Sequence, residues 1–134
     1  MGGGKKILVV DDCRELREFY RLLIRKLNYI PVTAEDGNEA IRFLEGSTTP
    51  FALILLDLLM PQKTGWETLK QIRSSSHYDS IPIIVITGMV LPPEQVDRLR
   101  KQCDALIFKS EFSLDKLRQA IDAFLGDEQS GQAQ

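Results

Sequence analysis

Cysteine and histidine are scarce: 134 residues hold two of the first and one of the second. Cys13 and Cys103 belong to no Cys-x-x-Cys pair, and His77, in the polar stretch Ser74-Ser-Ser-His-Tyr-Asp-Ser80, is too little for a zinc site. The two thiols read as free cysteines of a reducing compartment, and His77 as a solvated loop residue. Cys13 opens a helix, whose dipole would favour a thiolate, but Asp11 and Asp12 beside it oppose that. No apolar run approaches the roughly 18 residues of a membrane span, so membrane insertion is not expected. The start, Met1-Gly-Gly-Gly-Lys-Lys6, has no signal-peptide apolar region, and a cytoplasmic location is expected. Excess positive charge is missing too. A formal net charge of −2 gives no pull towards nucleic acid, so direct DNA or RNA binding is not expected. No internal repeat is visible.

What is present is a chain of the size of one domain, with 43% hydrophobic and 27% charged residues, ordinary for a globular protein. The domain is expected over residues 5–126, after an extension at 1–4 and before a disordered tail at 127–134 of low apolar content. Continuous apolar runs bounded by turn signals read as buried strands. They are Lys6-Ile-Leu-Val-Val10, Phe51-Ala-Leu-Ile-Leu-Leu-Asp57, Ile81-Pro-Ile-Ile-Val-Ile86 and Ala105-Leu-Ile-Phe108. Ile30–Ala34 is a shorter strand, and Pro31 within it argues for a sheet edge, because proline cannot donate to a ladder.

Helical periodicity fills the gaps. Leu16, Phe19, Tyr20, Leu23, Ile24 and Leu27 form one apolar stripe, with Asn28 as a stop. Asp36-Gly37 reads as a turn before a short helix with Ala40, Ile41 and Leu44, ending at Gly46. The next helix is expected to bury Trp66, Leu69 and Ile72. Pro92-Pro93 opens another with Val96 and Leu99 inward, where a first-turn proline costs no hydrogen bond. The last, N-capped by Ser113, carries Leu114, Leu117, Ile121, Phe124 and Leu125 on one side. Strands alternating with helices predict an α/β, doubly wound, five-stranded parallel sheet, (βα)5, of flavodoxin-like order 2-1-3-4-5.

The strand ends carry the chemistry. The first strand runs into Asp11-Asp12, the third into Asp57, the fourth into Thr87-Gly88 and the fifth into Lys109. In the order 2-1-3-4-5 the first and third strands flank the switch point where such folds bind ligands. Taken singly, Asp12 would cap the next helix, Thr87 would end a strand and Lys109 would be solvated; together they describe a site for a divalent cation and a phosphoryl group. An aspartate carboxylate is a competent nucleophile towards phosphorus. Asp12 and Asp57 suit direct ligation of Mg2+ (or Mn2+), with Asp11 acting through a water. Lys109 brings a mobile positive charge, and Thr87 a hydrogen-bond donor, to the phosphoryl oxygens, with Gly88 leaving room.

These residues resemble the receiver domain of two-component response regulators, of the single-domain, chemotaxis-regulator-like kind. The matching pieces are Ile7-Leu-Val-Val-Asp-Asp12, Asp57-Leu-Leu-Met-Pro61 with Gly65, Ile83 to Thr87-Gly88, and Lys109. The resemblance implies that Asp57 accepts a phosphoryl group from a histidine kinase or histidine phosphotransfer protein. It also implies that Asp12, Asp57 and the Leu59 carbonyl ligate Mg2+, that Asp11 does so through water, and that Thr87 and Lys109 bind the phosphoryl group. Phosphorylation would alter the face built from Pro92–Gln102, Ala105–Lys109 and Leu114–Leu125, to which a downstream protein would bind. Such a domain catalyses only its own phosphorylation and dephosphorylation. The chain departs from the family pattern at Leu106, where an aromatic residue is common, at Ser110, where proline is common, and at Thr64, often acidic. A phosphoryl carrier in a relay is the alternative. An aspartyl-nucleophile phosphohydrolase would want an acid where Leu59 stands, and a nucleotide carrier would want glycines where Asp11-Asp12-Cys13-Arg14 stands.

Overall fold

Parallel strands buried on both faces need apolar residues at every position, and the runs in this chain supply them. The computed structural model describes residues 4–58, 60 and 64–126. Its strands are β1 (Lys6–Val10), β2 (Ile30–Ala34), β3 (Phe51–Leu56), β4 (Ile83–Thr87) and β5 (Ala105–Phe108). They form one five-stranded sheet in the order β2-β1-β3-β4-β5, all pairings parallel. The expected order is the observed one, and β2 with Pro31 lies at an edge. Residues 1–3, in the expected extension, and the expected tail at 127–134 lie outside the described residues.

Helices α1 (Arg14–Lys26), α2 (Gly37–Gly46), α3 (Gly65–Arg73), α4 (Pro93–Arg100) and α5 (Leu114–Leu125) cover the two faces. Alternation along each strand divides the core. Ile7, Val9, Leu53, Leu55, Ile84 and Ile86 pack with Tyr20, Leu23 and Ile24 of α1 and with Leu117, Ile121 and Leu125 of α5. Leu8, Val10, Ile54, Leu56, Ile83 and Val85 pack with Ala40, Leu44, Leu69, Ile72 and Leu99 of α2, α3 and α4.

Local signals explain the helix ends. α1 stops where Asn28 takes φ 72°, the left-handed conformation that asparagine tolerates. The Ser113 side chain accepts from Lys116 N and caps α5. Asp36 is a cap rather than part of a free turn: its Oδ1 accepts from Glu39 N at 2.9 Å, and Gly37 is already helical. Some expected burials shift, most of all those of Leu114 and Phe19. Leu114 is 49% exposed, because it opens α5 before the helix lies on the sheet. Phe19 is 38% exposed at the margin of its stripe, edge-on to Phe112 at 6.1 Å. Trp66, in the first turn of α3, is half-buried.

At the end of the sheet away from Asp57, Arg73 gathers the backbone around β4 and β5. Its Nε donates to Gln102 O at 2.8 Å and its guanidinium to the Tyr78 and Ile81 carbonyls. It also meets Asp104 Oδ2 at 2.9 Å, an oxygen that accepts from Ile83 N. Arg73→Met takes this donor from the Gln102 and Ile81 carbonyls, while Tyr78 O keeps Ile81 N and Asp104 Oδ2 keeps Ile83 N. Discounted for partial exposure, the expected loss is about 2 kcal/mol, read as a lower urea midpoint at unchanged slope.

Candidate functional site

The register sets Val10 beside Leu56, so the next residues of β1 and β3, Asp11 and Asp57, emerge side by side. Their backbones continue the ladder: Asp57 N donates to Val10 O at 3.0 Å and Asp11 N to Ala34 O at 3.2 Å. Asp11 is 2% and Asp57 4% exposed, whereas Asp12 is exposed at the rim. Carboxylate oxygens of Asp11, Asp12 and Asp57 all lie within 4.8 Å of one another. Lys109, half-buried at the end of β5, brings Nζ to 3.7 Å from Asp57 Oδ2 and 4.0 Å from Asp11 Oδ2.

Thr87 ends β4 fully buried, and its hydroxyl oxygen accepts from Met89 N at 3.1 Å. A hydroxyl can accept and donate at once, so its own proton is still available. A Cβ at Gly88 would stand 3.5 Å from Lys109 Cδ, ordinary contact, so the space there belongs partly to the lysine. Gly65 is tighter. Its N–H donates to Leu58 O at 2.9 Å, and a Cβ would fall 2.2 Å from Asp57 O. The expected site residues Asp11, Asp12, Asp57, Thr87 and Lys109 thus lie at the strand ends of one sheet edge. Leu59, expected to offer its carbonyl, lies outside the described residues.

Local sequence features place these groups. Cys13 N donates to Asp11 Oδ1 at 2.9 Å, which folds the turn into α1. Thr64 forms a capping box with Glu67, each side chain accepting from the other residue's backbone N–H, and so fixes the start of α3 beside Asp57. This Thr-x-x-Glu signal is readable in the sequence, although Thr64 drew notice there only as a replacement for an acid. Lys109 starts a short 3-10 turn, Lys109–Glu111, and no cis peptide bond occurs among the described residues.

Like charges crowd this pocket. Burial, the largest cause, pushes the Asp11 carboxyl above its ordinary range, with Asp12 adding to the rise. The Cys13 N–H, Lys109 and Arg17 oppose it. Under α1, burial, with Asp11 and Asp57 near, pushes the Tyr20 phenol up as well. Two carboxylates at about 5 Å repel by roughly 3 kcal/mol at an effective dielectric constant near 20. One partly exposed ammonium is a weak counterweight to three acids. Clustered hard oxygen donors of this kind fit Mg2+ or Mn2+ and not a soft metal.

Because the Asp11 pKa is raised by folding, its favourable contribution holds at acid pH and is lost as pH rises through the folded-state value. Without divalent metal, Asp11→Asn should therefore melt above the wild type at pH 7. The gap should close as pH falls into the ordinary carboxylate range. Thermal melts at several pH values in chelator check this, and a variant that melts lower at pH 7 would contradict it.

The chain belongs to the response regulator receiver domain family, whose model matches residues 7–122. It is 37% identical over 120 residues to the response regulator MprA of Mycobacterium ulcerans, covering 90% of this chain and 50% of that protein. It is 40% identical over 85 residues to the CAI-1 autoinducer sensor kinase/phosphatase CqsS of Vibrio cholerae, covering 63% of this chain and 12% of that one. Among solved structures it resembles the Vibrio cholerae chemotaxis protein CheY4, with TM-score 0.78 and 27% identity over 90% of this chain and 98% of that one. The chain spans half or less of the length of these curated relatives. Membership of this family implies phosphorylation-dependent signalling. Among the described residues, no helix is long and apolar enough to cross a membrane.

Proposed function

We propose that Asp57 is the phosphoacceptor and that it takes its phosphoryl group from the histidine of a kinase or of a histidine phosphotransfer protein in the cytoplasm. The observation that carries this reading is the juxtaposition at the ends of β1, β3 and β5. Asp57 is 4% exposed, within 4.8 Å of Asp11 and Asp12 carboxylate oxygens and 3.7 Å from Lys109 Nζ. An oxygen of Asp57 forms the new bond to phosphorus as the P–N bond to the donor imidazole breaks. The imidazole departs with that electron pair and takes up a proton. Lys109 offsets the negative charge of the transferring group, and the Thr87 hydroxyl donates to one of its oxygens. Asp12, Asp57 and the Leu59 carbonyl would hold Mg2+ or Mn2+ directly, with Asp11 through a water. When bound, the cation supplies the positive charge that lets an anionic donor approach three carboxylates.

The response would be read on the face of α4, β5 and α5 by a downstream protein. Leu106, half-buried against the α4 side of the core, is smaller than an aromatic ring and gains less from filling space vacated by Thr87. Coupling through that residue is modest, since a switch moves only by the difference in affinity between its two states. The reading is tested by intact mass after incubation with Mg2+ and a small acyl-phosphate donor. A gain of one phosphoryl group that chelator abolishes is expected. No gain, or a gain indifferent to chelator, would overturn it.

A further inference from the structure

Asp12 projects from the turn between β1 and α1. Its carboxylate has no hydrogen-bond partner among the described residues, yet it must face Asp11 and Asp57 to share a cation with them. Two bonds that involve side chains fasten the turn that aims it. One is the bond from Cys13 N to Asp11 Oδ1. The other comes from Arg17, half-buried in α1, whose guanidinium donates to the Asp11 carbonyl oxygen at 2.9 Å. That carbonyl belongs to the peptide joining Asp11 to Asp12, so a rotation of this peptide would swing the Asp12 side chain away. Arg17 reaches it because helical side chains lean towards the helix N-terminus, where the turn lies. A cation so near a helix N-terminus runs against the helix dipole, a modest cost that the backbone bond offsets.

We infer that Arg17 is a positioning residue for the cation pocket, locking the Asp11–Asp12 peptide so that Asp12 points at Asp57. This rests on the metal-binding reading above. The sign of the effect separates it from plain electrostatics. As a charge, Arg17 repels a divalent cation, and removing it should tighten binding. As a lock, it holds a ligand in place, and removing it should weaken binding, by about ten-fold for an outer partner of a metal ligand.

The test compares the wild-type chain with Arg17→Met and Arg17→Lys in two readouts, Mn2+ affinity by electron paramagnetic resonance and amide exchange at Asp12 and Cys13 without metal. Thermal melts establish that each variant is folded. Arg17→Met should bind Mn2+ about ten-fold more weakly and exchange faster at both amides. Arg17→Lys, which keeps the charge and one donor, should fall between it and wild type. Equal or tighter Mn2+ binding in Arg17→Met overturns the inference. If the wild type takes up no Mn2+, the metal reading fails by itself, and exchange then decides for Arg17. Unchanged exchange at Asp12 and Cys13 in Arg17→Met overturns its positioning role in either case.

Discussion

Asp57→Asn should take up no phosphoryl group from a small acyl-phosphate donor under conditions in which the wild type takes up one. Asparagine keeps the size of the side chain and its capacity to accept hydrogen bonds, but its amide is no nucleophile towards phosphorus. Asp11 and Asp12 do not substitute for it. Asp11 Oδ1 already accepts from Cys13 N, and Asp12 stands exposed to solvent at the rim, whereas Asp57 is buried at the end of β3. The same change removes one charge from a crowded cluster, so metal-free Asp57→Asn should be at least as stable as the wild type. Intact mass and a thermal melt in chelator measure both effects. Uptake at the wild-type rate would show that another residue is the acceptor.

Gly65→Ala should damage fold and site together. The added Cβ would lie 2.2 Å from Asp57 O and 2.3 Å from Leu58 Cα, and both are backbone atoms that no rotamer change can move. α3 must then shift off the end of β3, and the bond from Gly65 N to Leu58 O, 2.9 Å long, is lost or stretched. Overpacking plus a lost backbone bond amounts to about 3 kcal/mol. For a domain of this size that is a fall of roughly 10 °C in melting temperature. Phosphoryl uptake should slow too, because the displaced strand end carries Asp57. Gly46→Ala is the matched control: it lies in α2 with nothing within 4 Å of the new Cβ, so it should leave stability unchanged or slightly raised. A wild-type melting temperature for Gly65→Ala would contradict the packing described.

The sheet was legible because its strands are buried on both faces, so unbroken apolar runs end where the chain leaves the core, and Asp57 marks that exit. Pro31 put β2 at an edge for a reason that holds in any sheet: it has no N–H to give a neighbour. The acid pocket followed, since strand ends at a switch point must meet whatever helices surround them. Periodicity was less informative about where a helix overhangs the sheet. Leu114 carries the right spacing yet precedes the contact, and Phe19 sits at the edge of its stripe. Interactions of charged side chains with backbone carbonyls were hidden altogether. Arg17 and Arg73 carry no signal in the sequence, because their partners include the carbonyls of Asp11, Gln102, Tyr78 and Ile81, which no pattern of side chains announces. Asp104 lies 31 positions from Arg73 and meets it only once β4 and β5 are paired.

The most direct measurement of the central claim is to locate the phosphoryl group chemically. An aspartyl phosphate is an acyl phosphate, and borohydride reduces it to homoserine while leaving free carboxylates untouched. After incubation with Mg2+ and a small acyl-phosphate donor, reduction and peptide mapping should find homoserine in place of Asp57 and intact aspartates at Asp11 and Asp12. Homoserine in place of Asp11 or Asp12, or a phosphorylated chain in which Asp57 survives reduction unchanged, would contradict the account.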